Sequence, residues 1–173
     1  FTLDLIANLF NPDAMVREVA AWSIYQIDPS SYQTNILRLS DVNQIHLNHL
    51  IVNDTSGRLL KFNKVRFLKQ MKIFAGVPGI TLTEIIDNSS TISLEAGSNF
   101  ALQTGIEESF YVVYKGSVDL YVNGIKDKEL KEGYFIGEVL DESRYDSTTH
   151  LIAKDDVLLI EVSKDQFYEL LSD

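Results

Sequence analysis

The chain has 173 residues, of which 45% are hydrophobic and 23% charged, and its formal net charge is −10 at pH 7. This composition is typical of a folded globular protein, and no apolar run approaches the roughly 20 residues that a transmembrane helix needs. The acidic balance argues against nucleic acid as a partner, because readers of DNA or RNA need a basic face to neutralise phosphates. The sequence has no cysteine, which excludes disulfides and thiolate chemistry and fits a cytoplasmic location.

Helical periodicity characterises the start of the chain, which opens on Phe1 without an initiator methionine. We therefore expect a segment of a longer protein. Residues 3–27 predict two antiparallel helices separated by an Asn-Pro-Asp turn. The pattern Leu-x-Asn-x-Asp-x-x-Val-Arg-x-x-Ala over residues 9–20 resembles a HEAT repeat, and in that family Asp13 and Arg17 stabilise the turn and stack between repeats. A lone helix pair cannot bury both of its apolar faces, so we expect further repeats before this one; an ordinary helical hairpin is the alternative.

Less regular helices are predicted from residue 32 to residue 87. They comprise a short amphipathic piece over 34–39, a helix that Asp41 caps and that ends near Ile51, a helix over 60–72, and a helix over 82–87 opened by a capping box of Thr81 and Glu84. The composition of residues 53–57 indicates a linker, which places a domain boundary near residue 57. His46 and His49 share a helical face, but two histidines without cysteine fall short of a zinc site. We interpret both as packed or solvated side chains and expect no metal.

After residue 88 the hydrophobic period changes from helical to two, which predicts short strands. Glycines or an Asn-Gly turn separate them, and a capping box at Ser163 and Gln166 opens a final helix. The predicted strands are 91–94, 100–102, 109–114, 118–122, 129–130, 148–153 and 157–162. The predicted fold class is α+β: a helical, HEAT-like N-terminal segment over residues 1–57, then over residues 58–173 a β-roll, a double-stranded jelly roll of two sheets, with flanking helices.

The second segment carries four motifs in a recognisable order: Leu94–Gly97, Phe110–Val118, Gly133–Phe135 and Gly137-Glu138. Over about residues 60–173 this order resembles the cyclic-nucleotide-binding domain. The resemblance implies a regulatory module with cAMP or cGMP as its ligand and no cofactor. Its implied partners are other domains of the parent protein, further HEAT repeats among them. A HEAT unit beside such a domain resembles arrangements in bacterial proteins, some of them membrane transporters, so a membrane-associated parent is one expectation.

The family's phosphate-binding site maps onto residues 137–148, called the cassette below. Exposed amides where a strand meets a short helix bind an anionic phosphate, and a neighbouring carboxylate accepts a hydrogen bond from a ribose hydroxyl. In the family a glycine, a glutamate and a later arginine hold the ligand in this way. The candidate residues for the phosphate and the ribose are Gly137, Glu138, Val139, Arg144, Ser147 and Thr148.

The cassette departs from the family pattern where the phosphate would bind. An ungapped alignment on Ile152-Ala153 places Ser147 at the arginine position and Leu140 where a small residue is usual. Arg144 is the one cation of the cassette and lies three residues too early. It either replaces the missing arginine after a rearrangement of the loop or pairs with a carboxylate on the surface. The cassette also gains acidic side chains, at Asp141, Glu142 and Asp146.

The residues that lead from the cassette into the next strand are polar. Thr148 and Thr149 offer neutral hydroxyl donors to a phosphate, or they simply belong to the strand. His150 replaces a small or hydroxyl residue of the family, and a neutral imidazole there is a weak donor.

The predicted function is that of a regulatory or sensor module whose binding of cyclic nucleotide is weak or lost. The alternative is a ligand-free structural or protein-interaction domain of a larger multidomain protein. An enzyme is not expected, because the sequence holds no Gly-x-Ser-x-Gly elbow, phosphate loop, His-Glu-x-x-His motif or cysteine nucleophile.

Overall fold

A computed structural model of the chain describes residues 2–102, 109–136 and 149–172, apart from the side chain of Leu171. Its contacts divide the chain into two units, Phe1–Arg66 and Phe67–Asp173, and each is described by itself below. The domain boundary near residue 57 stays a prediction. No helix in the described ranges is both long and apolar enough to cross a membrane.

The first unit is helical, as the periodicity predicts. Its helices are α1 (Thr2–Asn8), α2 (Ala14–Ile27), α3 (Pro29–Ile36), α4 (Asp41–Ile51) and the beginning of α5 (Lys61–Gln70). The apolar sides of these helices enclose one core, whose fully buried members are Leu9, Ala21, Ile24, Tyr32, Leu47, Ile51 and Leu60.

The turn between α1 and α2 is held by the two residues that the sequence pattern singles out. The Asp13 carboxylate accepts hydrogen bonds from the backbone amides of Met15, at 2.8 Å, and Val16, at 3.4 Å, and so caps α2. The Arg17 guanidinium donates to the carbonyl oxygens of Asn11 and Pro12, both at 2.7 Å. These bonds belong to the turn itself, and the assignment of this pair to the HEAT family stays a prediction.

Three predicted helix starts are wrong, and side-chain caps or proline explain each difference. Helix α3 begins at Pro29, because proline suits the first helical turn and Asp28 caps it. Ser40 caps α4 in place of Asp41, which is already helical. A further helix, α6 (Gly79–Asp87), follows Pro78, so Thr81 lies inside the helix and forms no capping box.

The second unit contains α6, a short 3-10 helix (Lys72–Phe74), two antiparallel sheets and a closing helix, α7 (Lys164–Ser172). Sheet 1 has the strand order β1-β8-β3-β6 and sheet 2 the order β2-β7-β4-β5. The strands are β1 (Ser89–Leu94), β2 (Asn99–Ala101), β3 (Ser109–Lys115), β4 (Ser117–Val122), β5 (Ile125–Lys131), β6 (Phe135–Ile136), β7 (His150–Ala153) and β8 (Val157–Ser163). The predicted double-sheet roll with flanking helices is confirmed at this level.

The two faces of each strand have different surroundings, because successive side chains alternate. The inner faces of both sheets share one core, which includes Val113, Leu120, Leu151, Ala153 and Leu159. The outer face of sheet 1 packs against the flanking helices through aromatic rings: Phe110 lies 4.9 Å from both Phe135 and Phe167 by ring centroids, and Phe74 lies 5.9 Å from Phe167. The outer face of sheet 2 carries ion pairs, Lys126–Asp119 at 2.8 Å and Lys154–Glu129 at 3.0 Å.

One end of the roll, called the closed end below, is formed by the β3–β4 turn at Gly116 and the β7–β8 turn at Asp155-Asp156. Gly116 has φ +80°. The Asp155 carboxylate accepts from the Ser117 amide at 2.8 Å, and the Glu132 carboxylate accepts from the Gly116 amide at 3.2 Å. Acidic side chains at this end accept hydrogen bonds from backbone amides and so stabilise the turns.

Candidate functional site

The predicted ligand-binding residues all lie outside the described residues. Gly137, Glu138, Val139, Arg144, Ser147 and Thr148 belong to the cassette, together with Leu140, Asp141, Glu142 and Asp146. The structure does describe the strands to which the cassette is attached. The candidate site is therefore built from those flanking residues.

The cassette connects the two sheets. It leaves sheet 1 after Ile136, at the end of β6, and enters sheet 2 at Thr149, which precedes β7. Residues 103–108 make a second connection, from β2 of sheet 2 to β3 of sheet 1. The two connections begin and end at neighbouring positions of the sheets. In sheet 2 the Leu102 amide donates to the Thr149 carbonyl at 3.1 Å, and in sheet 1 Ile136 lies opposite Tyr111.

Both sheets meet at this end of the roll. Phe100 of β2 contacts Tyr111 of β3 edge to face, with 5.7 Å between the ring centroids. We call this region the cassette end and define it by Phe100, Leu102, Tyr111, Ile136 and Thr149. β3 and β7 both run from here to the closed end, so the two ends lie at opposite extremities of the roll.

Thr149 lies on the inner face of sheet 2. It alternates with Leu151 and Ala153, whose side chains belong to the core of the roll. Only 1% of Thr149 is exposed. Its backbone carbonyl is bonded to Leu102, but its side-chain hydroxyl has no hydrogen-bond partner in the described part of the chain. The first residue after the cassette therefore carries a buried hydroxyl on the inner face of sheet 2.

On the inner face of sheet 1, Tyr111 and Glu161 form a polar pair. They lie opposite each other in neighbouring strands, and the Tyr111 hydroxyl donates to Glu161 Oε1 at 3.2 Å. Burial, followed by the negative charge of Glu161 and this hydrogen bond, raises the pKa of Tyr111 from 10.0 to about 12. Tyr111 is thus neutral at physiological pH, and its hydroxyl proton is donated to Glu161.

His150 lies on the outer face of sheet 2. Its ring stacks on Tyr121 of β4, with 5.2 Å between the centroids and 10° between the planes. Tyr121 and His150 are opposite each other in the strand register. This outward position separates His150 from the inner face that carries Thr149.

A second polar cluster lies in the first unit, and the sequence patterns do not predict it. Glu18 of α2 is only 3% exposed. One carboxylate oxygen lies 3.0 Å from His46 Nε2 of α4, and the other accepts from the Lys61 amide, at the start of α5, at 2.8 Å. Nearby, burial lowers the pKa of Lys64, and the negative charge of Glu18 partly offsets that shift.

Glu18 thus ties three helices together and caps the amino end of α5. Both histidines are exposed, and His46 pairs with Glu18 although its side chain is 51% exposed. Within the described ranges, no three His, Cys, Asp or Glu side chains are grouped closely enough to hold a metal ion.

Comparison with known proteins identifies relatives of the roll. The family model for the cyclic nucleotide-binding domain matches residues 91–173. A cAMP-dependent protein kinase regulatory subunit from Aspergillus niger is 22% identical over 159 residues, which are 91% of this chain and 37% of the relative. The chain therefore spans little more than a third of the length of that relative.

Solved structures share the fold at low identity. The sensor domain of the transcriptional regulator DNR from Pseudomonas aeruginosa aligns with a TM-score of 0.56 and 18% identity, over 65% of this chain and 79% of that one. The regulatory subunit of a cAMP-independent protein kinase A from Trypanosoma brucei aligns with a TM-score of 0.53 and 20% identity, over 65% of this chain and 43% of that one. These structures show the fold, and the family model confirms the resemblance to the cyclic-nucleotide-binding domain for residues 91–173.

Proposed function

We propose that the β-roll is a regulatory or sensor module of the cyclic-nucleotide-binding type, without catalytic activity, in which binding of cAMP or cGMP is weak or lost. The observation that carries the proposal is the contrast within the cassette. It keeps Gly137 and Glu138, which suit a phosphate and a ribose, but has Ser147 where the family has arginine. The family match over residues 91–173 supports the regulatory role.

The missing arginine accounts for the expected loss of affinity. A guanidinium binds a phosphate through two parallel, charge-assisted hydrogen bonds, and such bonds contribute roughly 1.5–3 kcal/mol. The hydroxyl of Ser147 offers one neutral bond in their place. The proposed reduction is therefore about one to two orders of magnitude in affinity.

The negative charge of the two connecting segments should also lower the affinity for a cyclic nucleotide. Residues 103–108 and the cassette hold six carboxylate side chains and one arginine. Their net charge of −5 is half of the chain's net charge of −10. Both segments attach at the cassette end. An anionic ligand that approaches this end meets a repulsive potential, which salt would screen.

Calorimetric titration with cAMP and cGMP tests this proposal. We expect the wild type to bind weakly, at millimolar ligand, and Ser147→Arg to bind 10- to 100-fold more tightly. Ser93→Arg is the matched control: it adds the same charge at an exposed position of β1 near the closed end, and should leave the affinity at the wild-type level. Tight binding by the wild type, with no gain in Ser147→Arg, would contradict the proposal.

A ligand-free structural or protein-interaction domain is the second candidate. It is favoured by the acidic cassette and by the fold shared with the regulatory subunit of a protein kinase A described as cAMP-independent. The same titration separates the two candidates. If neither the wild type nor Ser147→Arg releases heat with cAMP or cGMP, the roll has lost more than one contact and this second candidate is favoured.

Further helical repeats are the partners that we propose for the first unit. An apolar groove of about 270 Å³ lies on this unit, and Leu5, Val16 and Phe62 are among the side chains that line it. Val16 and Phe62 are exposed there. Val16→Asp and Phe62→Asp should then leave the unfolding midpoint reported by Trp22 close to that of wild type, because both side chains are exposed when the groove is uncovered; a marked fall would contradict this proposal.

A further inference from the structure

We propose that strand β5 is a self-association surface, whose outer edge pairs antiparallel with β5 of a second copy of this chain. The two copies are related by a two-fold axis perpendicular to sheet 2, so that their second sheets join into one. Residues whose numbers add up to 255 lie opposite each other across the seam. The inference goes beyond the proposed function, because the pairing depends on no ligand.

The position of β5 makes such pairing possible. Among the described residues β4 is its one neighbour in sheet 2, and the side chains of Ile125, Lys126, Asp127 and Lys131 are exposed. Within the same ranges, one backbone group of β5 is bonded outside the sheet: the Lys131 carbonyl accepts from the Tyr134 amide at 3.0 Å. A strand at a sheet edge presents unpaired N–H and C=O groups. A strand from a second copy would pair them.

A β-bulge in β5 decides which of its side chains share a face. Two successive residues of β4 lie opposite Lys126 and Lys128, so Asp127 between them has no counterpart. Lys126 and Glu129 therefore share the outer face of sheet 2, although residues three apart in a regular strand lie on opposite faces. A perpendicular two-fold axis sets each face beside the same face of the other copy. The bulge thus allows Lys126 to lie opposite Glu129 of the second copy.

The charges of β5 are self-complementary in this register. Lys126 lies opposite Glu129 of the second copy, and Asp127 lies opposite Lys128 of the second copy. The two-fold axis repeats both pairs along the seam. Opposite charges in facing positions stabilise paired strands, and like charges destabilise them. A shift of one residue in either direction would bring lysine against lysine and carboxylate against carboxylate, so the charges select this register.

The second copy would also offset a like-charge contact within sheet 2. Asp119 of β4 and Glu129 of β5 lie directly opposite each other. Asp119 pairs with Lys126 at 2.8 Å, and Glu129 pairs with Lys154 at 3.0 Å. Lys126 of the second copy would approach Glu129 from the outer edge of β5. Charges along the outer face would then alternate in sign across the seam.

Bulges and lysines frequently protect a sheet edge from pairing with other chains. Protection by charge requires like charges to meet, whereas β5 carries three lysines and two carboxylates in an order that brings opposite charges together. The strand has a net charge of +1 in a chain whose net charge is −10. Two copies of this acidic chain therefore meet at β5 without the repulsion that their net charge alone would give.

Sedimentation equilibrium of the full chain, from about 10 μM to about 1 mM, tests the inference. A seam of one strand from each copy buries less than the roughly 800 Å² per partner of a stable complex, so we expect a weak dimer with a Kd on the order of 100 μM. The average mass should rise with concentration from 19.6 kDa towards twice that value. A mass that stays at 19.6 kDa over the whole range would overturn the inference.

Two charge reversals, Asp127→Lys and Lys128→Asp, test the strand and its register. Either variant alone sets like charges opposite each other on both sides of the two-fold axis, so its association should weaken about fivefold or more. An equimolar mixture of the two variants restores opposite charges between unlike copies and should associate about as tightly as wild type. A mixture that associates no better than either variant alone would overturn the register and the inference with it.

Glu95→Lys is the matched control, because it makes the same change of charge at an exposed position after β1 of sheet 1. Its association should stay within about twofold of wild type. The double variant Asp127→Lys/Lys128→Asp keeps the net charge and the complementary pairs, so it should dimerise like wild type. Thermal unfolding midpoints show that the variants are folded. Dimerisation that both single reversals leave unchanged would place the contact elsewhere on the chain and overturn the inference.

Discussion

Among the described residues, each unit has one buried polar side chain, and the two differ in their hydrogen-bond partners. Glu18 is held by His46 at 3.0 Å and by the Lys61 amide at 2.8 Å. Thr149 is 1% exposed, and within the described part of the chain its hydroxyl has no partner. A polar group whose partners all come from the protein indicates a structural role. One that is buried and has no partner among the described residues contributes no such hydrogen bond to the fold.

The largest expected effect is at Glu18, on the structural side of this comparison. Glu18→Ala should lower the free energy of unfolding by about 3–5 kcal/mol, because two hydrogen bonds to a charged acceptor contribute roughly 1.5–3 kcal/mol each. Trp22 is the single tryptophan of the chain and lies in α2, so its fluorescence in a urea titration reports on the first unit.

Glu18→Gln is the matched control for that prediction. It keeps an oxygen for the Lys61 amide and an amide group for His46, so the loss should be about half as large or smaller. If Glu18→Ala unfolds with the same midpoint as wild type, the hydrogen bonds of Glu18 do not stabilise the first unit. The contrast between Glu18 and Thr149 would then not hold.

The next effect concerns the closed end of the roll, where acidic side chains accept hydrogen bonds from backbone amides. A Cβ at Gly116 would clash with the Asp155 carboxylate and lie 2.8 Å from the Asp156 carbonyl, at a φ of +80°. Gly116→Ala should therefore cost about 2–4 kcal/mol, counting left-handed strain and steric overlap together. Denaturation followed by far-ultraviolet circular dichroism measures it.

Gly124 provides the control for Gly116. It has a similar φ of +76°, but a Cβ added there would meet no atom of the described residues within 4 Å. Gly124→Ala should cost about 1–2 kcal/mol, from the left-handed conformation alone. Equal losses in the two variants would show that the packing around Gly116 does not matter and that the closed end is less constrained than its hydrogen bonds indicate.

Alkaline pH should weaken both units through buried tyrosines. The pKa values of Tyr32 and Tyr111 are raised from 10.0 to about 12, in each case first by burial. Because the folded-state pKa lies above the unfolded one, this stabilisation is fully present below pH 10.0 and is lost as the pH rises through about 12. Unfolding midpoints between these two pH values measure the loss.

Tyr111→Phe sharpens that measurement. It should remove part of the alkaline loss from the roll and leave the loss reported by Trp22 in the first unit unchanged. A wild-type midpoint that is constant from neutral pH up to pH 12 would contradict the burial of these hydroxyl groups.

The smallest expected effect is electrostatic. Glu161→Gln keeps an acceptor for Tyr111 and removes one negative charge from the inner face of sheet 1. At an effective dielectric constant between that of protein and water, this should improve the affinity for cAMP only about two- to fourfold, and less at high salt. A weaker affinity instead would indicate that Glu161 contacts the ligand through a hydrogen bond.

Much of the fold is predictable from local patterns. The change from helical periodicity to alternation after residue 88 marks the start of the roll, and the turn residues delimit most of its strands. The sequence does not predict β6, since two residues, Phe135 and Ile136, are too few to show a period. The role of Glu18 is equally hidden: its partners lie 28 and 43 residues away in sequence, and nothing local distinguishes it from an exposed helical glutamate.

The candidate site, too, is only partly predictable from the sequence. The motif order indicates the cassette, but the predicted site residues lie outside the described residues and stay predictions. For Thr149 the sequence leaves two interpretations open, a donor or an ordinary strand residue, because its burial and its unpaired hydroxyl depend on two sheets meeting. Its alternation with Leu151 and Ala153 is visible in the sequence and could have placed it inside the roll.

The most direct test of the account is a titration of the isotope-labelled 19.6-kDa chain with cAMP, followed residue by residue in amide NMR spectra. The account predicts fast-exchange shifts, at millimolar cAMP, for the amides of Leu102, Tyr111, Ile136 and Thr149 at the cassette end. The amides of Gly116 and Ser117 at the closed end should stay in place. Shifts centred on the closed end, or none at the cassette end in either wild type or Ser147→Arg, would contradict it.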